Sequence, residues 1–205
     1  MNHELLENNK VYLQGKVLSK PEFSHEVLNE GFYNLDLEIP RLSGQTDIIP
    51  VTISERLLVG KAFEIGEEIA IKGQFRSYNK LENEKSKLVL TVFARELCEP
   101  NSENNPNIVE IFGYICKPPI YRTTPFNREI TDMLMAVNRS YNKSDYIPCI
   151  TWGRNARFVG ELKVGTKLEI VGRIQSREYL KKVEGENQPL KKVAYEISVS
   201  KVSLD

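Results

Sequence analysis

Apolar and polar residues alternate in short runs along most of the chain, the period-two signature of half-buried strands. In Asn9-Lys10-Val11-Tyr12-Leu13-Gln14-Gly15-Lys16-Val17, the odd positions Val11, Leu13 and Val17 share one face. The run Asn107-Ile108-Val109-Glu110-Ile111-Phe112-Gly113-Tyr114-Ile115 does the same with Val109, Ile111 and Ile115. This patterning predicts strands near residues 10–19, 32–40, 47–54, 68–78 and 87–96. It predicts a second set near 108–116, 130–138, 146–152, 167–178 and 191–202. Short helices fit residues 54–62 and 154–161.

The two sets are one pattern written twice. Gly15 and Gly113 stand 98 residues apart, and at the same offset Asp47 and Pro50 match Asp145 and Pro148. Gly66-Glu67-Glu68-Ile69-Ala70-Ile71-Lys72-Gly73 then matches Gly165-Thr166-Lys167-Leu168-Glu169-Ile170-Val171-Gly172 with the offset grown by one. Five strands with a helix between the third and fourth is the order of the OB-fold, a partly open Greek-key barrel. The predicted architecture is therefore all-β, two tandem OB-folds. Residues 1–98 form the first domain, 99–106 a polar, Pro-containing linker and 107–205 the second domain. The glycines inside strands, Gly15, Gly73, Gly113 and Gly172, mark bends or bulges and carry no chemistry.

Length agrees with this division, since 205 residues make two domains of about 100 each. No apolar run approaches the roughly 18 residues of a membrane span. Residues 1–7 have neither the basic start nor the apolar centre of a signal peptide, so the expected compartment is the cytoplasm. Cys98, Cys116 and Cys149 are widely spaced and lack metal-site spacing, and they read as buried thiols. The net charge is zero overall. Residues 1–106 nevertheless carry 12 basic against 17 acidic side chains, a net of −5, and residues 107–205 carry 16 against 11, a net of +5. A phosphate-binding surface is expected in the second half.

Catalytic motifs are scarce. His3 and His25 have no partner at ligand spacing, and Gly60-Lys61-Ala62 lacks the rest of a phosphate loop. The expectation is a non-enzymatic protein with no cofactor and no metal. The informative signal is aromatics interleaved with cations. By alternation Tyr146, Pro148, Ile150 and Trp152 share a strand face. Arg173, Arg177 and Tyr179 share another, opposite Ile174. Bases stack on aromatic rings for about 1–3 kcal/mol each with little sequence preference, and Arg and Lys neutralise phosphates. Half-buried aromatics also fill the cores of small barrels, so Trp152 taken alone fits core and surface equally.

At these residues the second repeat resembles the bacterial single-stranded-DNA-binding protein family, including its relative primosomal replication protein N. Met135-Ala136-Val137-Asn138-Arg139 looks like the family's Leu-Ala-x-Asn-Arg strand. Cys149-Ile150-Thr151-Trp152-Gly153-Arg154 looks like its aliphatic strand ending in aromatic-Gly-Lys. Gly172-Arg173-Ile174-Gln175-Ser176-Arg177-Glu178-Tyr179 is similar to its Gly-x-Leu-x-x-Arg-x-aromatic strand. The resemblance covers roughly residues 107–200. It implies Tyr141, Tyr146, Trp152 and Tyr179 as base-stacking residues, with Arg154 and Arg177 as phosphate or base partners. Arg139 and Arg173 are further candidates by proximity.

The first repeat departs at this face. Tyr141, Tyr146 and Trp152 become Ser43, Ile48 and Ser54, and Tyr179 becomes Lys80. Phe32, Tyr33 and Tyr78 are its remaining aromatics near the face, and the first domain reads as a structural half with a degenerate binding face. Family members that recruit partners carry a long tail with an acidic, hydrophobic tip. Here only residues 203–205 follow the last predicted strand, which shifts the expectation toward an accessory or primosomal type. The resemblance thus implies a nucleoid-associated protein that binds single-stranded DNA with little sequence preference, as a homodimer with four OB domains. Replication or primosome proteins are possible partners, and RNA is a rival ligand. The lysines at 181–182 and 191–192 flank a polar loop that offers a clamp.

Overall fold

The computed structural model describes residues 8–82, 85–181 and 190–204; of the clamp reading, Lys182 and loop residues 183–189 lie outside them. Strands β1 (Asn9–Val17), β2 (Glu22–Val27), β3 (Glu30–Pro40), β4 (Thr46–Ser54), β5 (Glu68–Glu82) and β6 (Lys85–Cys98) make up the first half. Strands β7 (Asn107–Ile115), β8 (Ile120–Thr123), β9 (Glu129–Arg139), β10 (Lys143–Trp152), β11 (Lys167–Lys181) and β12 (Leu190–Leu204) repeat it. Helix α1 (Glu55–Leu58) follows β4 and α2 (Gly153–Gly160) follows β10.

Each half closes on itself. β1 pairs with both β3 and β5, and the parallel pair β4–β6 completes a ring of five strands. In the second half β7, β9, β10, β12 and β11 close identically. These are two OB-fold barrels. Leu13, Leu37, Ile49, Ile71 and Phe75 fill the first, and Ile111, Met135, Ile147, Ile170 and Ile197 the second, all at most 1 % exposed. β5 and β6, like β11 and β12, bend sharply to serve two sides of their barrel. The bends are bulges at Gly73 and Gly172, where a Cβ would overlap the carbonyl oxygens of Phe93 and Ser198.

Two strands were not predicted. Every residue of β2 and β8 is exposed, so neither carries an alternation to read. Both form hairpin arms on β3 and β9 outside the closed rings. α1 is also shorter than the predicted 54–62. Ser54 caps it by accepting from the Arg56 N–H, but none of its residues is buried, and Gly60 turns into the left-handed region at φ +72°. α2 persists for two turns because Ala156 and Val159 pack inward.

The halves meet as a pseudo-symmetric pair. β1 and β7 run antiparallel with Val11 opposite Val109, which are equivalent residues, so the axis passes between them. Asn9 donates to the Phe75 carbonyl at 2.7 Å and accepts from its N–H at 2.9 Å, and Asn107 does the same with Ile174 at the same two distances. The connection over 99–106 is tied down too: the Gln14 N–H donates to the Pro106 carbonyl at 2.8 Å and the Asn101 N–H to the Gln14 side chain at 3.0 Å.

The equivalent carboxylates Asp47 and Asp145, each 1 % exposed, complete the junction. Asp47 accepts the Ser176 N–H from the other half at 2.7 Å, and Asp145 accepts the Ser77 N–H at 2.7 Å. Each has an arginine from its own half, Arg41 at 2.5 Å and Arg139 at 3.3 Å. A buried carboxylate stripped of such partners is strongly disfavoured, and equally so the guanidinium left behind. Asp145→Ala orphans a buried N–H and leaves Arg139 without its anion. It is expected to lower stability by about 3–5 kcal/mol in urea unfolding; a loss under about 1 kcal/mol would contradict this account of the junction.

Candidate nucleic-acid interface

Of the predicted stacking residues, all four stand at the surface, on three different elements of the second barrel. Tyr141 is at the tip of the β9–β10 hairpin, a three-residue loop in which Tyr141 and Asn142 both take positive φ. Its ring is 91 % exposed. Tyr146 and Trp152 lie on β10, and Tyr179 lies on β11 opposite Lys192. Alternation along β10 turns Ile147, Cys149 and Thr151 into the barrel, which leaves Tyr146 and Trp152 facing out. Trp152 is 38 % exposed, and its indole N–H donates to the Ser198 hydroxyl at 3.3 Å. An exposed ring with its polar atom satisfied by the protein offers its face to a stacking partner.

Tyr146 is held from the other half. Its backbone N–H donates to the Ser77 hydroxyl at 2.7 Å, and Ser77 in turn donates its own N–H to Asp145. The junction between the barrels thereby fixes the strand that carries two of the four aromatics.

The arginines divide into two kinds. Arg154 is exposed on the first turn of α2. Arg177 is exposed on β11, with Glu196 at 3.7 Å. Arg139 and Arg173 instead face the buried carboxylates of the junction. Arg173 reaches across to Asp47 at 3.3 Å and donates to Gln175 at 3.0 Å. Burial lowers the Arg173 pKa, Arg41 lowers it further and Asp47 opposes both. Burial likewise pushes the Asp145 carboxyl up, while the Ser77 N–H, Arg139 and Arg76 pull it back. Arg139 and Arg173 thus already serve carboxylates within the protein. Their sequence positions beside family-like motifs carried no sign of this, because their partners lie in the other repeat or across a hairpin.

Of the lysines flanking the loop at 183–190, Lys191 pairs with Glu178 at 2.7 Å. Of the cysteines, Cys149 is buried and its thiol pKa is raised well above the usual value by desolvation; Cys98 and Cys116 are half-buried. No group of three His, Cys, Asp or Glu side chains among the described residues is placed to hold a metal ion. Among them, too, no helix is long and apolar enough to cross a membrane.

Fold and surface define a tandem OB-fold protein with an aromatic face on its second barrel. The full chain superposes on the wild-type single-stranded DNA binding protein from Thermus aquaticus with a TM-score of 0.74, covering 96 % of this chain and 92 % of that one at 18 % identity. Residues 106–205, just under half of the chain, match the Single-strand binding protein family. Single-stranded DNA-binding protein A of Bacillus subtilis is 35 % identical over 80 residues, 36 % of this chain and 46 % of that protein. The chain spans about half the length of the curated relatives it matches. A dimeric structure of the N-terminal domain of PriB protein from Thermoanaerobacter tencongensis aligns at 49 % identity over 46 % of this chain and 99 % of that one, with a TM-score of 0.40.

The two kinds of arginine separate in measurement. Arg173→Ala removes a partner of a buried carboxylate and is expected to destabilise by about 1–3 kcal/mol. Arg154→Ala, at an exposed position, is expected to stay within about 0.5 kcal/mol of the parent. Urea midpoints of the two variants check this, and equal losses would contradict the division.

Proposed function

We propose that this protein binds single-stranded DNA with little sequence preference, chiefly through its second barrel, in replication, repair or recombination. The observation that carries the reading is the exposure of Tyr141, Tyr146, Trp152 and Tyr179 together on a barrel that has a complete apolar core without them. Bases stack on these rings, and Arg154 and Arg177 neutralise phosphate. The excess positive charge of residues 107–205 supports it, as does the match of that half to a family named for single-strand binding. The ligand requires no cofactor and no catalytic group. A cytoplasmic, nucleoid-associated location follows from it, and replication or primosome proteins are the natural protein partners.

Trp152 is the sole tryptophan, so its emission reports on this face alone. Titration with oligo-dT is expected to quench it, with an affinity that falls as salt rises. The double variant Tyr141→Ala/Tyr179→Ala is expected to weaken binding at least tenfold, since each stacked base contributes about 1–3 kcal/mol. Absence of quenching and of binding at low salt would overturn the proposal. A matched oligo-rU competitor decides between DNA and RNA, with DNA expected to bind more tightly.

We further propose a homodimer, which brings four barrels together as the family resemblance implies. Sedimentation at micromolar concentration is expected to give twice the chain mass of 23.5 kDa; the mass of one chain at that concentration would refute it.

A further inference from the structure

The first barrel lacks aromatics at the positions equivalent to Tyr141, Tyr146, Trp152 and Tyr179, yet it does not lack an aromatic face. In the second barrel Trp152 ends β10, pairs with Ile130 across β9 and reaches over to Ser198 on β12. The equivalent trio in the first barrel is Ser54, Phe32 and Phe93. Phe32 pairs with Ser54 across β3–β4, and Phe93 sits in the parallel β4–β6 register where Ser198 sits in β10–β12. The large ring has moved from the end of the third barrel strand to its two neighbours. Ser54, relieved of it, hydrogen-bonds Glu30 and caps α1.

The relocated rings form a connected set. Phe32 and Phe93 have centroids 5.7 Å apart, and the exposed His25 ring stacks on Phe32 at 5.1 Å with planes 15° apart. The Arg76 guanidinium lies 4.5 Å from the Phe93 centroid and Arg95 lies 5.3 Å from it. Alongside runs a groove of about 490 Å³. His25, Tyr78 and Phe93 are among its walls, together with Arg76 and, from the other half, Arg139; Asn34, Thr52 and Thr91 give it a hydroxyl- and amide-bearing lining. Tyr78 is 45 % exposed.

The charge of this groove is unlike that of its domain. Arg76 is lowered to about 10, first by burial and then by Arg95 and Arg139, with Asp145 as the opposing anion. Two further guanidinium groups and one carboxylate act on it, and its Nε–H is buried without a partner. An anion entering beside Arg76 relieves that crowding. Rings for a base and a cluster of arginines for a phosphate are together what a nucleotide requires. The groove also continues the surface already described. Arg139 ends β9 immediately before the hairpin that carries Tyr141, and Ser77, beside Tyr78, bonds the backbone of Tyr146.

We propose that the groove of the first barrel between His25 and Tyr78 is a second nucleotide-binding subsite, continuous with the aromatic face of the second barrel across the junction, so that one strand runs over both. This rests on the single-strand reading above and extends its footprint. The bases stack against Tyr78 and His25 with Phe93 behind them, and the phosphates lie toward Arg76 and Arg95.

The test uses the full chain and oligo-dT of two lengths, about 8 and about 30 nucleotides, bracketing the footprint of one OB-fold. The variant is His25→Ala/Tyr78→Ala, both side chains being exposed; Arg95→Ala, also exposed, is the second. Trp152 quenching reads the second barrel in each case. The expected result is unchanged affinity for the short strand and at least about fivefold weaker affinity for the long one, the loss of one or two stacked bases. Cross-linking of 5-iodouracil-substituted long oligonucleotide to the parent is expected to label peptides containing His25 or Tyr78. Equal affinity of parent and both variants for the long strand, with quenching intact, would overturn this proposal and leave the single-strand reading standing. Loss of quenching in the parent with both strands would instead overturn the single-strand reading itself.

Discussion

The two carboxylates buried at the junction, Asp47 and Asp145, are the constraint on which the rest of the arrangement depends. Neither can be left in a dry environment with its charge unmatched. Each is matched by an arginine of its own half and by a backbone N–H of the other, so the compensation exists only when the barrels are docked in one relation. The β1–β7 ladder sets the same relation independently, with Val11 and Val109 on the axis. Hydrogen bonds of the ladder are non-specific in sequence, and a slip by two residues would preserve them. The carboxylates forbid the slip, since it would carry both away from their N–H partners.

That constraint also builds the binding surface. Ser77 receives the Tyr146 N–H and donates its own to Asp145, so the strand bearing Tyr146 and Trp152 is registered against the first barrel as well as its own. The junction consumes Arg139 and Arg173 as structural counter-ions and leaves Arg154 and Arg177 facing solvent. Arg173 and Arg177, four residues apart on one strand, therefore have different work to do. Proximity to a motif does not distinguish them; the location of an anion in the other repeat does.

The two barrels show how one scaffold carries different faces. Their closing ladders and bulges correspond in register, because barrel closure dictates where the chain bends and which side of each strand is dry. The outer face is free of that demand. There the ring of Trp152 gives way to Phe32 and Phe93 on adjoining strands, and the neighbouring residues change with it, Ser54 taking up a capping bond. A position-by-position comparison of the repeats registers this as loss, since it follows each strand separately and an outer face is assembled from three.

By itself the sequence determined the closed, repeated barrels. Alternation in β1, β7, β9 and β10, the seven-residue glycine spacing and the 98-residue offset all report the covalent chain's own pattern of dry and wet positions, and burial follows it. It also placed Tyr146 and Trp152 on one face of β10 by alternation, while their exposure, on a parity where Ile150 is buried, was decided by the tertiary structure. What lacked an alternation was illegible: β2 and β8, exposed throughout, and the early end of α1, which depends on having nothing to pack against. The tertiary structure alone decided which arginines meet Asp47 and Asp145, that the halves share one axis, and that His25, Phe32, Tyr78 and Phe93 gather beside Arg76. Those relations join residues up to 135 positions apart, and a contact made through space between separate strands leaves no periodic trace along any one of them.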